Sequence, residues 1–216
     1  MPRDARETTL RLCPRSRRLR RPGGAFDAWA LRWEICADPL PDAADLSPAD
    51  ACAALHAAGP VRAVPVGVIG PKVATESQVE TAGRLGARIA QLGLQLLCGG
   101  KNGVMEAVCR GNLQAGGRPI GLVPDEEWDA SNPFVAVPLA TGIGPARNVL
   151  IARASFALVA VGGGYGTLSE MAFGLHFGRL VLALDDAPAV DGATRCAGVD
   201  EVCDRLARRF LGVAAV

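Results

Sequence analysis

The sequence predicts an α/β fold: a three-layer parallel β-sheet with helices on both faces, preceded by an N-terminal extension. Three observations carry the prediction. From Val64 onward, short apolar runs alternate with amphipathic helical patterns, as in a sheet buried on both sides. Three of the strand-to-helix turns bear glycine. Residues 1–62 have none of this rhythm, so the chain divides into an extension, 1–62, and a ligand-binding domain, 63–216.

The extension opens on an arginine cluster: Arg11, Arg15, Arg17, Arg18, Arg20 and Arg21, with Arg3 and Arg6 before it. Such a run reads as solvated or partly disordered chain rather than a nucleic-acid site. It faintly resembles a transit peptide, but Asp4, Glu7 and the scarcity of serine weigh against that. Sequence upstream of the true start codon is another reading. Residues 25–36, with Trp29 and Trp33, form a short strand or helix. Ser47-Pro48-Ala49-Asp50 starts a helix, with Ser47 as cap and Pro48 in the first position, ending near Gly59-Pro60.

In the second part, residues 64–70 read as a buried strand with Pro65 near its start. Thr75-Glu76-Ser77-Gln78 is a capping box. The helix behind it lines up Val79, Ala82, Leu85, Ile89 and Leu92 on one face, and Gly83 and Gly86 let it lie close to the sheet. Strands follow at 94–98, 119–123, 135–139, 156–161 and 180–184. Helices are expected at 104–114, 147–154, 168–177 and 198–210.

The three glycine turns are Gly70-Pro71-Lys72, Gly99-Gly100-Lys101-Asn102-Gly103 and Gly162-Gly163-Gly164-Tyr165-Gly166. In a parallel sheet they share the carboxyl edge, where such folds bind ligands. The third leads into a helix, whose free N–H groups attract an anion. Glu170 is a carboxylate beside that anion site. Thr167-Leu168-Ser169-Glu170 also fits a capping box, with Thr167 as cap, so Glu170 is either a cap or a catalytic group. The first turn lacks the dinucleotide fingerprint, and no turn ends in Gly-Lys-Ser/Thr. A mononucleotide therefore fits better than NAD or ATP.

Composition excludes several classes. A net charge of +1 recruits neither nucleic acid nor membrane. No apolar run approaches the roughly 20 residues of a membrane span. Seven cysteines and two histidines show no zinc spacing, so free thiols in a cytoplasmic protein, with no metal, are expected. Cys98 reads as a small buried residue. Asp125-Glu126-Glu127-Trp128-Asp129 reads as a solvated loop, or as a pocket wall with Trp128 stacking on the ligand.

Residues Val64 to Leu184 resemble the Lonely-guy family, once labelled "lysine decarboxylase-like", within the SLOG superfamily of Rossmann-like proteins. The family pattern P-G-G-x-G-T-x-x-E is matched by Gly162 to Glu170, and its preceding arginine by Arg147. The second glycine turn, Cys98 to Glu106, matches loosely. Gly162 replaces the proline, Asn148 replaces the lysine after the arginine, and Lys101 enters the second turn. These departures resemble the branch holding the molybdenum-cofactor carriers; residues 1–62 resemble neither branch.

The resemblance implies two functions. One is a phosphoribohydrolase that cleaves the N-glycosidic bond of a purine nucleoside 5′-monophosphate without a cofactor. Glu170 and Arg147 would be catalytic. Gly70, Gly99, Gly100, Gly103, Gly163, Gly164, Tyr165, Gly166 and Thr167 would line the ligand or hold its phosphate. The other is a non-catalytic carrier of molybdenum cofactor or a nucleotide sensor, with Lys72 and Lys101 adding positive charge. A homodimer or higher homo-oligomer is implied, with a face around Gly174 and Phe177.

Overall fold

The structure, a computed structural model, describes residues 9–214; Arg3, Asp4, Arg6 and Glu7 lie outside the described residues. The chain forms two compact units. One is Val64–Val202; the other combines the residues before it with those from Cys203 onward.

In the N-terminal unit, β1 (Arg11–Leu12), β2 (Leu19–Arg21), β3 (Gly24–Asp27) and β4 (Arg32–Ile35) make an antiparallel sheet in sequence order. The tryptophan-bearing segment is thus a hairpin. Asp27 Oδ1 turns it by accepting from the Trp29 and Ala30 amides, both at 2.8 Å. Phe26 packs edge-on against Trp33, and Trp33 Nε1 donates to the Leu211 carbonyl at 2.6 Å. Several arginines are tied down within the unit. Arg18 pairs with Glu34 at 2.9 Å, and buried Arg20 donates to the Asp38 carbonyl at 2.8 Å. Helix α1 (Pro48–Ala58) starts where its serine and proline place it: Ser47 Oγ accepts from the Asp50 amide at 3.1 Å.

The second unit is built on β5 (Pro65–Ile69), β6 (Gln95–Cys98), β7 (Ile120–Val123), β8 (Val137–Ala140), β9 (Ala157–Val161), β10 (Leu180–Leu184) and β11 (Thr194–Arg195). Every pairing is parallel, in the order β11-β10-β9-β5-β6-β7-β8. The order reverses between β5 and β9, which opens a crevice at their carboxyl ends. The central strands are wholly apolar, β9 being buried at all five positions.

Helices α2 (Glu76–Gln91) and α3 (Val104–Gln114) follow β5 and β6; right-handed crossovers put them on one face. Helices α4 (Asn148–Ala154) and α5 (Tyr165–His176) cover the other. There Ile151, Ala152 and Met171 pack with Leu158, Ala160, Val181 and Ala183. Helix α6 (Val199–Leu211) comes last in the chain, and its residues from Cys203 onward are counted with the N-terminal unit.

The glycines of α2 serve a different contact from the expected one. A Cβ on Gly86 would strike the Val108 carbonyl oxygen, and one on Gly111 the Gly83 carbonyl. They bring α2 against α3, not against the sheet, and Asn112 Nδ2 seals the approach with a 3.0 Å bond to the Gly86 carbonyl.

Candidate functional site

A cavity of about 590 Å³ opens at the carboxyl ends of the strands. The turn after β5 supplies Gly70, Pro71 and Lys72, and that after β6 supplies Gly99. Pro124 and Asp125 follow β7. Arg147 and Asn148 start α4, and Gly164, Gly166, Thr167 and Glu170 come from the start of α5. The crevice at the reversal of strand order is therefore the candidate site.

The entry into α5 differs from the expected one. The helix begins at Tyr165 with Gly164 as its cap, three residues earlier than a Thr167 cap requires. Gly162 and Gly163 make this possible with φ of 59° and 139°, values that side chains resist. Thr167 then sits in the third helical position and Glu170 in the sixth, so the capping-box reading of Glu170 is wrong here. No side chain caps this helix. Gly164, Gly166 and Thr167 at its start line the cavity, and the free N–H groups of a helix N-terminus suit an anion. By contrast, the Thr75–Gln78 box forms both of its bonds, at 3.0 and 3.3 Å.

Released from capping, Glu170 pairs with Arg147. Arg147 Nη1 donates to Glu170 Oε1 at 3.1 Å, and each residue is only 6% exposed. Nη1 also donates to Asn148 Oδ1 at 2.8 Å, and Nη2 reaches the Gly99 carbonyl at 3.4 Å. Arg147 Nε is buried with no hydrogen-bond partner among the described residues. A Cβ at position 99 would overlap the guanidinium, so glycine there makes room for it. Burial pushes the Glu170 carboxyl up to about 7, although the charge and hydrogen bond of Arg147 pull the other way. The carboxyl is thus poised to exchange a proton near neutral pH.

Residues 63–203 match the SLOG cluster4 family. The chain belongs to that family. An uncharacterized protein of Archaeoglobus fulgidus is 41% identical over 127 residues, 59% of this chain and 83% of that one. The molybdenum cofactor binding protein of Rippkaea orientalis aligns with a TM-score of 0.64 at 30% identity, over 67% of this chain and 96% of its own. The molybdenum cofactor carrier protein of Chlamydomonas reinhardtii aligns with a TM-score of 0.64 at 32% identity, over 70% and 99%.

Of the residues expected at the site, Gly70, Lys72, Gly99, Gly164, Gly166, Thr167, Arg147 and Glu170 come together around the cavity. Gly100, Lys101, Gly103, Gly163 and Tyr165 stand outside its lining. Lys101 is committed elsewhere: its Nζ binds Asp125 Oδ2 at 2.9 Å and the Ala130 carbonyl at 2.7 Å. Gly103 caps α3 with φ 68°, where a Cβ would strike the Pro71 and Lys72 carbonyls. Tyr165 points into solvent, 92% exposed.

Met105 and Pro145 line the cavity without having been singled out, and so does Asp125, the first residue of the acidic segment read as a solvated loop or a pocket wall. The signal for Asp125 was its place two residues past the end of a strand of the sheet. Trp128 of the same segment lies outside the cavity lining and is exposed.

Cys98 is buried behind Gly99, its Sγ 3.4 Å from that of Cys109. The hydrogen bond from Cys109 lowers the Cys98 pKa against the effect of burial; Cys98 and burial together push Cys109 up. No disulfide joins any of the seven cysteines. Among the described residues no group of three or more His, Cys, Asp or Glu is placed to hold a metal, and no helix is long and apolar enough to cross a membrane.

Proposed function

We propose that this chain binds a phosphate-bearing nucleotide or pterin in the cavity and hydrolyses the N-glycosidic bond of a purine nucleoside 5′-monophosphate. The observation that carries the proposal is Glu170: buried, paired with Arg147, facing the cavity, and titrating near 7 rather than capping a helix.

The phosphate sits on the first amides of α5, where the helix dipole and the free N–H groups both favour negative charge. Lys72 adds charge at the mouth. Cleavage of the bond from C1′ to the base nitrogen leaves its electron pair on the base and positive charge on the ribose. The Glu170 carboxylate stabilises that charge and takes a proton from the water that attacks C1′. The proton passes to the departing base, and the products are free base and ribose 5-phosphate. Arg147 brings positive charge to the cavity wall and holds the carboxylate in place. No metal enters this scheme.

The likeness to molybdenum cofactor binding and carrier proteins favours a second reading, a carrier. The cofactor is then cargo: its phosphate takes the same α5 amides, and Arg147 and Lys72 face its negative charge. Gly162 and Asn148, where the hydrolase pattern has proline and lysine, agree with this reading.

The chain acts in the cytoplasm as a homodimer in either case. Leu150, Leu168 and Phe173 on α4 and α5 present exposed apolar side chains for the contact. Gly174 is not on that face, since a Cβ there would meet Leu158. Chromatographic detection of free base from a panel of nucleoside monophosphates tests the hydrolase. Tight binding of molybdenum cofactor with no base released from any nucleotide would instead establish the carrier.

A further inference from the structure

The cavity holds one carboxylate that glycosidic cleavage does not use. Asp125 lies two residues past the end of β7 and lines the wall. Lys101 engages its Oδ2 and is itself anchored by the Ala130 carbonyl, so the lysine steadies the carboxylate instead of reaching for a ligand. The hydrogen bond from Lys101 holds Asp125 below the usual carboxylate range, although partial burial opposes it. At neutral pH the group only accepts hydrogen bonds, and its two oxygens offer about four acceptor positions. The pair with Lys101 leaves most of these open.

The strand order sets where Asp125 lies relative to the rest of the site. The start of α5 lies past β9, Arg147 reaches Gly99 past β6, and Asp125 lies past β7. β9 and β7 are three strand spacings apart, about 14 Å. The anion-binding amides are at one end and Asp125 at the other, with the Arg147–Glu170 pair bridging between them. A phosphorylated ring compound bound at α5 therefore directs its ring toward Asp125.

We propose that Asp125 selects that ring by accepting hydrogen bonds from a ring N–H and the adjacent exocyclic amino group of a 2-amino-4-oxopyrimidine edge, the edge shared by guanine and pterins. This rests on the reading of the cavity as a phosphate-ligand site. Adenine places an acceptor nitrogen beside its amino group, which an accept-only carboxylate repels. Hypoxanthine keeps the ring N–H but lacks the amino group.

Equilibrium binding of GMP, IMP, AMP and 6-hydroxymethylpterin monophosphate by calorimetry tests this. The full-length wild type is used, with the Glu170→Gln chain in parallel so that turnover does not deplete the ligand. GMP and the pterin should bind at least about tenfold more tightly than IMP and AMP, as expected for hydrogen bonds to a charged group. Whichever of the two binds more tightly identifies the source of the ring. In Asp125→Asn the GMP-to-IMP ratio should fall to near one. Equal affinities for GMP, IMP and AMP in the wild type, or a ratio kept in Asp125→Asn, would overturn the assignment of Asp125 alone. If none of the four ligands binds, the cavity reading falls with it. The wild-type GMP-to-IMP ratio decides the matter even if the variant folds poorly.

Discussion

Arg147 and Glu170 lie 23 residues apart and meet at 3.1 Å, joining the short 3-10 turn before α4 to the second turn of α5. Both residues line the cavity. It also holds a carboxylate where burial and a cation act on it in opposite directions.

Glu170 should make stability fall as pH rises. Its folded pKa, about 7, is raised above the ordinary 4.5, so the native state binds the proton more tightly than the unfolded chain. The associated stability is fully present below about 4.5 and is lost as pH climbs through about 7. It amounts to roughly 3 kcal/mol at most. Urea midpoints from pH 4.5 to 8 should show this decline in the wild type and a much flatter profile in Glu170→Gln. Equal slopes would mean that Glu170 titrates normally.

Arg147→Ala removes the partner and leaves Glu170 buried alone. Breaking a buried pair costs roughly 3 kcal/mol or more while the remaining group is charged. The loss should be large at pH 8 and smaller at pH 5, where Glu170 takes up a proton. Denaturant unfolding at the two pH values checks this, and an equal loss at both would argue against a charged Glu170 at pH 8.

Gly99→Ala should separate the site from the fold. The backbone at 99 does not have the positive φ of its neighbour Gly100, so alanine is tolerated there. Its methyl group would overlap the Arg147 guanidinium, which must move. We expect a stability loss of about 1–3 kcal/mol, typical of overpacking, with base release reduced far more than that loss explains. Activity near wild type would show that the guanidinium position does not matter.

Leu168→Glu and Phe173→Glu place charge on the proposed dimer face. Light scattering should give a dimer for the wild type and monomers for these variants, with helical content kept. A monomeric wild type would end the dimer proposal.

Much of this architecture was legible in the sequence because apolar runs mark buried strands. Six of the seven parallel strands announce themselves this way. The seventh, Thr194–Arg195, is two polar residues at the sheet edge and carries no such pattern. The start of α5 was misplaced because Thr167-Leu168-Ser169-Glu170 satisfies a local rule that the glycines before it override. Lys101 looked like a ligand cation because its partners, Asp125 and Ala130, are 24 and 29 residues away. Asp125 was hidden among neighbouring acids, and only the position of β7 singles it out. The pairing of Arg147 with Glu170 depended on tertiary packing, although each residue stood out on its own.

The most direct measurement is base release from AMP, GMP, CMP, UMP and an N6-modified AMP, with wild type and Glu170→Gln side by side. The account predicts free purine base from the wild type and none from Glu170→Gln, which keeps the fold but loses the carboxylate. Full activity in Glu170→Gln, or no release from any nucleotide by the wild type, would contradict the hydrolytic role given to Glu170.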